Sequence, residues 1–206
     1  MAISNYSELK TAVANWLARS DLTSRIPEFI DMAESELNDE LRAREMITTT
    51  NINPSQVNKY VSLPTGFLEL IAFNDDFGEP LKEISYEELE ERAYSSASAR
   101  PEYYVIGARI DFERKANASY NFPMRYYQRL DIATDTTNSV LTNWPNLYLY
   151  GSLIQAEPYI MNDERMPVWE RRYKKALDKA NYRATKNKRL LRTEFAGEQF
   201  NILRGW

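Results

Sequence analysis

The sequence of 206 residues contains no cysteine and no histidine. Without cysteine, disulfides, thiolate nucleophiles and iron–sulfur clusters are excluded, and without either residue the usual structural zinc sites are excluded too. The absence of histidine removes the Ser-His-Asp triad and the commonest general base at neutral pH. We therefore expect a protein that is not an enzyme and that binds no metal and no cofactor.

Long apolar runs and glycine are also scarce. No apolar stretch approaches the roughly 18 residues needed to span a bilayer, and the opening MAISNYSELK has no basic and apolar leader pattern. With only 6 glycines the chain has little material for phosphate-binding loops, and no Walker, dinucleotide or EF-hand spacing occurs. We expect no membrane attachment and a protein made and kept in the cytoplasm.

What is present indicates a globular chain with an uneven charge. Apolar residues make up 43% and charged residues 27%, enough apolar material for a full core. Residues 1–46 carry 5 basic and 9 acidic side chains, residues 47–145 carry 9 and 14, and residues 146–206 carry 12 and 7. The basic C-terminal part is typical of an end that faces an acidic partner, and a solvated helix face explains the same count.

Two amphipathic helices are predicted at the N-terminus. Asn5 and Glu8 have capping-box spacing, and Pro27 stands in the first turn of the second helix. The first apolar stripe consists of Tyr6, Leu9, Val13, Trp16 and Leu17, and the second of Phe29, Ile30, Ala33, Leu37 and Leu41. The face opposite the second stripe is predicted to be solvated and contains Asp31, Glu34, Glu36 and Asp39.

From Ile47 the apolar period becomes that of strands. ITTTNI and VNKYVSL are predicted to form a hairpin across NPSQ, FLELIAF is followed by the loop NDDFGEP and LKEIS, and EYYVIG and ARIDFE flank Gly107. A last strand, SYNFPMRYYQRL, contains Pro123, which indicates an edge position or a bulge. A short helix is predicted at 86–94. Short strands at this spacing favour a small antiparallel sandwich or barrel.

A second helical region begins at Trp144 and Pro145. The first helix reaches about Met161 with a bend at Pro158, and it is apolar nearly all round; a final helix covers 167–188. Beyond it the chain lacks a clean helical period but remains apolar, so we expect it to dock on a partner. Its apolar residues are Leu190, Leu191, Phe195, Phe200, Ile202, Leu203 and Trp206.

The predicted fold is therefore α+β. A helical bundle of two N-terminal and two C-terminal helices comprises residues 1–46 and 142–188. A small antiparallel β-sandwich or barrel with one short helix is inserted at 47–141. Residues 189–206 form an extended C-terminal docking tail.

Two acidic clusters were weighed as metal sites. Asp75, Asp76 and Glu79 offer carboxylates to a hard cation, but turn chemistry is the commoner use of such residues in a hairpin loop. A hydrolase using two acids would have only Asp76 and Glu79 as candidates. The second cluster is explained by an exposed helix face and consists of Glu87, Glu88, Glu90 and Glu91.

A basic run in the last helix is the main candidate for binding. It could contact nucleic acid phosphates, which makes a DNA-binding module the alternative function. Its basic residues occupy several helix faces and the sequence pI is near 5.2, which favours an acidic protein surface as the partner. The candidate interface residues are Arg171, Arg172, Lys175, Lys179 and Arg183.

Four segments resemble one family. They are NYSELKTAVANWLARSDLTSRIPEFIDMAESELNDELRARE, VSLPTGFLEL, RPEYYVIGARIDF and WPNLYLYGSLIQAEPYIMNDERMPVWERRYKKALDKAN. Their order and patterns resemble the head-to-tail adaptor, or connector, proteins of tailed bacteriophages.

The resemblance implies a structural virion protein. Such adaptors form a ring, usually of twelve copies, between the portal protein and the tail nozzle protein, and DNA passes through the channel without specific binding. In related adaptors a C-terminal extension reaches into the portal, which assigns portal binding to the apolar tail. The 14 tyrosines agree with extensive oligomer contacts, especially Tyr103, Tyr104, Tyr120, Tyr126 and Tyr127 on predicted strands. The expected location is the virion neck, after synthesis in the host cytoplasm.

Overall fold

The computed structural model describes residues 3–53, 58–92, 100–115, 120–161 and 164–202, with the backbone alone described from residue 185 onward. Within it the chain divides into two compact units. The helical unit comprises Met1–Met46 and Leu130–Trp206, and the β unit comprises Ile47–Arg129.

The described elements alternate between helical and strand regions along the chain. In chain order the helices are α1 (Tyr6–Leu17), α2 (Ile26–Glu40), α3 (Tyr86–Glu91), α4 (Ile132–Asp135), α5 (Ser139–Asn143), α6 (Pro145–Gln155), α7 (Glu157–Ile160) and α8 (Met166–Ile202). The strands are β1 (Ile47–Ile52), β2 (Tyr60–Ser62), β3 (Phe67–Phe73), β4 (Lys82–Glu83), β5 (Tyr103–Ile106), β6 (Arg109–Phe112) and β7 (Phe122–Gln128). This composition is the α+β class that the sequence predicts.

The start of α1 shows why the chain turns helical there. The Asn5 side chain accepts a hydrogen bond from the Glu8 backbone N–H at 2.9 Å. In return, the Glu8 carboxylate accepts from the backbone N–H and hydroxyl of Ser4 at 2.8 and 2.7 Å. The Asn5 half of the predicted capping box is confirmed and satisfies a donor that the helix start otherwise leaves unpaired, while Glu8 binds Ser4, the residue before the N-cap.

Helix α6 is the centre of the helical unit. It packs against α1, α2, α5 and α8. Its side chains are buried around most of the helix, as the sequence predicts; the buried residues are Leu147, Tyr148, Leu149, Tyr150, Gly151, Ser152 and Leu153. Pro158 does not bend one continuous helix, as predicted, but stands in the first turn of the separate α7. Since proline has no N–H to continue the ladder, α6 ends at Gln155.

Helix α8 is longer than the apolar period indicates. The prediction ended it at Lys188, but the helical backbone continues to Ile202. The added segment RLLRTEFAGEQFNI is rich in strong helix formers and contains no proline, and its one glycine costs only about 1 kcal/mol relative to alanine. Propensity can therefore continue a helix where an amphipathic stripe has ended.

The β unit contains two sheets that share one core. Among the strands that the structure describes, the orders are β1-β7-β3 and β2-β6-β5-β4, and all pairs are antiparallel except β4 with β5. Aromatic rings from both sheets meet in the core. The ring of Phe73 lies 5.0 Å from that of Tyr104, and the rings of Phe112 and Phe122 lie 5.9 Å apart. The arrangement agrees with a small sandwich.

Strand pairing differs from the sequence prediction at β1 and β2. They do not form a hairpin with each other: β1 pairs with β7, from Ile47 opposite Tyr127 to Ile52 opposite Phe122, and β2 pairs with β6. Every residue of β1 pairs with a residue of β7, whereas β2 has only 3 residues with which β1 could pair. The non-local pairing therefore satisfies more backbone groups. The predicted β5–β6 hairpin around Gly107 is confirmed.

Pro123 lies in a central strand, not at an edge or bulge as predicted. It stands opposite Asn51 of β1 in unbroken register. Its carbonyl accepts from the N–H of Asn74, just past the end of β3, at 3.1 Å. Because the N and C=O of one strand residue point to the same side, the missing N–H faces a position where β3 has already ended. The ladder loses little, and the register shifts lie further along β3.

Candidate interaction grooves on the helical unit

Four basic residues of α8 form one exposed row on the helix. Arg171, Lys175, Lys179 and Arg183 recur every fourth residue, which places them in one row on the helix. All four are exposed, and Arg172 lies beside the row. Four of the five candidates therefore share one row, whereas Arg172 and Lys174 are exposed at positions outside it.

This row borders a groove of about 630 Å³, here called the basic groove. One wall comes from the α5–α6 junction and the other from α8. Its lining residues are Asn143, Trp144, Pro145, Asn146, Tyr150, Arg171, Arg172, Lys175, Ala176 and Lys179. The structure thus brings four of the five predicted interface residues together, and Arg183 continues their row.

The two walls are joined by Arg172. Its Nη1 donates to the Tyr150 hydroxyl at 3.0 Å, and its guanidinium carbon lies 5.8 Å from the centre of the Tyr150 ring. Among the described residues, Arg171, Lys175 and Lys179 form no ion pair. The groove also contains the start of α6, where the helix dipole favours negative charge. Its electrostatics therefore favour an acidic ligand.

An apolar groove adjoins the basic one and shares Pro145, Asn146 and Tyr150 with it. Its remaining lining comes from Ile3, Ala12, Asn15, Trp16 and Leu149. Trp16 is 42% exposed, and its ring meets that of Tyr150 edge-on at 5.7 Å. Basic side chains beside partly exposed aromatic rings are typical of protein–protein interfaces.

A third groove near the C-terminal end of α6 has the opposite charge. It is lined by Glu36, Ile154, Gln155, Glu157, Pro158, Glu164, Met166, Pro167 and Glu170, and is here called the acidic groove. It contains four carboxylates and no basic side chain, and none of the four forms an ion pair within the described part of the chain. Sequence reasoning missed this site because its acids come from α2, α7, the segment leading into α8 and α8 itself.

Comparison with known protein families identifies the family of this chain. The sequence profile of the SU10 adaptor protein family matches residues 4–193. The chain belongs to that family. It is a family of bacteriophage head-to-tail adaptors, so the chain is a structural adaptor of a phage particle, as the resemblance implies. No curated protein matches the sequence.

The predicted portal-binding side chains of this adaptor lie outside the described residues. They are Leu190, Leu191, Phe195, Phe200, Ile202, Leu203 and Trp206. The family match ends at residue 193, so most of them also lie beyond the shared family region. None of the described helices is long and apolar enough to cross a membrane.

In the β unit, Asp75 serves the turn and not a cation site. One of its carboxylate oxygens accepts the N–H groups of Phe77 and Glu79, each at 2.9 Å, and the other pairs with Arg100. Desolvation opposes ionisation of Asp75, but these donors outweigh it and lower the pKa of the carboxyl. In the described part of the chain, no group of three or more acidic side chains could hold a metal ion.

The glutamates of α3 form a solvated face. Glu87, Glu88, Glu90 and Glu91 are exposed, and only Leu89 turns inward. The strand tyrosines are also explained within the β unit: Tyr104, Tyr126 and Tyr127 are buried, and Tyr103 and Tyr120 are half-buried. Burial raises the pKa of Tyr104 to about 12. These tyrosines therefore do not support the predicted oligomer contacts.

Proposed function

We propose that this adaptor forms a ring between the portal and the tail nozzle of a tailed bacteriophage. Family membership over residues 4–193 is the observation that carries the proposal. The portal protein and the nozzle protein are its partners, and copies of the chain, twelve in the usual ring, contact each other. DNA passes through the channel without specific binding. The adaptor acts in the virion neck, after synthesis in the host cytoplasm, and has no catalytic role.

Portal attachment is assigned to the C-terminal end of α8. A helix of 37 residues spans about 55 Å at 1.5 Å per residue. Its first half carries the buried anchors Trp169, Tyr173 and Ala180, which hold it to the helical unit. Its last part, residues 189–202, belongs to the predicted docking tail, whose apolar residues we expect a portal surface to cover. This division gives one helix both an anchoring and a docking segment.

The test is to mix the purified adaptor with the assembled portal ring of the same phage. Co-sedimentation would give the stoichiometry, and electron microscopy would show where the adaptor lies. A ring of adaptor stacked on the portal is expected. If a portal preparation that forms intact rings binds no adaptor, the proposal is wrong. Duplex DNA binding at low salt that disappears steeply as salt rises would then favour the DNA-binding alternative.

A further inference from the structure

The basic and acidic grooves lie at opposite ends of the same helix. The basic groove takes Pro145, Asn146 and Tyr150 from the first half of α6, and the acidic groove takes Ile154 and Gln155 from its end. Helix α6 has 11 residues and is about 16 Å long. Helix α8 has the reverse order along the chain, with Met166, Pro167 and Glu170 in the acidic groove before Arg171 to Lys179 in the basic one. One unit therefore presents two oppositely charged surfaces.

Each groove concentrates like charges that stay unpaired within the described residues. In the basic groove, Arg171, Lys175 and Lys179 are spaced four residues apart, and such like-charged neighbours on a helix repel. In the acidic groove, Glu36, Glu157, Glu164 and Glu170 are all exposed beside one another. A partner surface of opposite charge would offset the repulsion between the like charges in each groove. Such charge complementarity also fixes the register and specificity of an interface.

Both grooves also carry apolar surface that charge alone does not require. The basic groove continues into the partly exposed ring of Trp16, and the acidic groove is lined by Pro158, Met166 and Pro167. Aromatic residues, methionine and arginine are enriched in protein interfaces. A nucleic acid would use the positive charge of the first groove but would leave the second groove unexplained. A second copy of this chain accounts for both.

We propose that the basic groove of one copy binds the acidic groove of the next. Such a contact joins two different surfaces and is therefore heterologous, the kind that closes into a ring or continues as a filament. A two-fold dimer could also pair the two grooves reciprocally, and a variant carrying a probe in each groove distinguishes the arrangements: a ring or filament gives a ladder of cross-linked species, and a two-fold pair gives a dimer only. The inference rests on the proposed ring and adds to it the surfaces through which neighbouring copies meet.

The absence of native cysteine permits a direct test by disulfide cross-linking. The probes are Lys179→Cys in the basic groove and Glu164→Cys in the acidic groove. Glu164 precedes the start of α8 at Met166, and Lys179 lies about 20 Å along the helix from that start, too far for a bond within one molecule. After oxidation, a mixture of the two single variants should give a dimer, and the double variant should give a ladder. Lys174→Cys, on α8 but outside the groove lining, replaces Lys179→Cys as the control and should not cross-link with Glu164→Cys.

Charge reversal tests whether the contact depends on complementarity. In the cross-linking background, Arg171→Glu/Lys175→Glu and Glu157→Lys/Glu170→Lys should each reduce the cross-linking rate about tenfold or more. Mixing the variant with the reversed basic groove and the variant with the reversed acidic groove should restore the cross-linking rate, because the two grooves again have opposite charges. Lys174→Glu is the matched control and should have no effect. Circular dichroism checks that each variant retains its helical content.

Cross-linking is measured in a concentrated solution of the adaptor variants and again with the variants bound to the portal ring. Cross-links in either setting that follow the charge pattern support the inference. Their absence in both settings, or equal rates in all variants, overturns it. Adaptor rings that stack on the portal without cross-linking would overturn the groove contact and leave the proposed function intact. If reversing the basic groove abolishes duplex DNA binding and leaves cross-linking unchanged, the groove is a nucleic acid site.

Discussion

Glu34 is a carboxyl group buried in the helical unit, with 5% of its surface exposed. Its two oxygens accept the N–H of Ile132 at 2.9 and 3.1 Å, and one accepts the Tyr148 hydroxyl at 2.6 Å. Asn138 in turn donates its side-chain N–H to the Tyr148 oxygen at 2.8 Å. The network ties α2 to α6 and to the segment where the chain re-enters the helical unit.

Burial raises the pKa of Glu34 above its ordinary value, because the cost of desolvating the charge exceeds the help from its donors. The folded state then holds a proton that the unfolded state releases first. Stability should fall as pH rises from the ordinary pKa of 4.5 through the raised value, and level off above it. Glu34→Gln keeps an acceptor and has no charge, so the difference in unfolding free energy between wild type and this variant should shrink or reverse at higher pH.

Urea unfolding followed by tryptophan fluorescence between pH 4 and pH 8 measures this difference. Glu34→Ala is the companion variant, and we expect it to lose about 1 to 3 kcal/mol at every pH, because Ile132 N–H and the Tyr148 hydroxyl lose their acceptor. A difference between wild type and Glu34→Gln that does not change with pH would contradict the raised pKa.

For single residues, hydrogen bonds between neighbours in the sequence could be predicted, whereas hydrogen bonds between residues far apart in the sequence could not. The hydrogen bond from the Glu8 N–H to the Asn5 side chain spans one helical turn, so residue types and spacing suffice to predict it. The sequence predicts Glu34 on the solvated face of α2 opposite the apolar stripe, and this prediction is wrong, because Glu34 is buried. Its burial depends on Ile132, 98 positions away in the sequence, and no local pattern contains that information.

At the scale of elements, helix α6 packs closely against α2 and α8 at Gly151. A methyl group added there would lie 3.2 Å from the Ala33 Cβ of α2 and 3.4 Å from the Tyr173 ring of α8. Glycine inside a helix costs about 1 kcal/mol relative to alanine. Close packing of α6 between α2 and α8 offsets this cost, since a larger side chain would push the helices apart.

Gly151→Leu should therefore lower the free energy of unfolding by about 2 kcal/mol through overpacking, in spite of the better helix propensity of leucine. Chemical denaturation monitored by circular dichroism measures the change. The matched comparison is Gly151→Ala in the wild-type and Ala33→Gly backgrounds. Removing the Ala33 methyl group should make Gly151→Ala more favourable by about 0.5 kcal/mol or more, and strictly additive effects would show that this contact does not limit the packing.

The helices were predictable because their apolar residues recur every three to four positions, whereas strand partners were not. β1 and β2 follow one another in the sequence, but β1 pairs with the distant β7. That choice depends on strand length and on a shared aromatic core, which appear only when both sheets are assembled. The end of α8 was missed for a different reason: its last turns lack a clean apolar stripe, and propensity alone indicates their helix.

For the whole molecule, the arrangement of charge connects fold with function. The row of Arg171, Lys175 and Lys179 was visible in the sequence because all three belong to one helix. The acidic groove was not, since Glu36 is separated from Glu157, Glu164 and Glu170 by the entire β unit. The net charge of −4 does not reveal either charged surface, because it sums the charges of the whole chain. Assembly sites built from distant segments require the fold before they can be recognised.

Removing residues 189–206 tests whether the end of α8 serves the fold or the partner. The buried anchors Trp169, Tyr173 and Ala180 all precede the deletion, so the shortened adaptor should remain folded. We expect circular dichroism to lose only the contribution of the deleted turns and the melting temperature to change by no more than about 4 °C, equivalent to roughly 1 kcal/mol. Co-sedimentation with the portal ring should be abolished.

Point variants separate loss of apolar docking from loss of helix length. Phe195→Ala/Phe200→Ala/Trp206→Ala removes three aromatic rings from the tail and should abolish co-sedimentation with the portal as the deletion does. The matched control Glu194→Gln/Glu198→Gln/Asn201→Ala alters polar positions of the same segment and should bind like wild type. A cooperative loss of the remaining helical signal on deletion would place the tail in the core, and full portal binding without the three rings would rule out apolar docking.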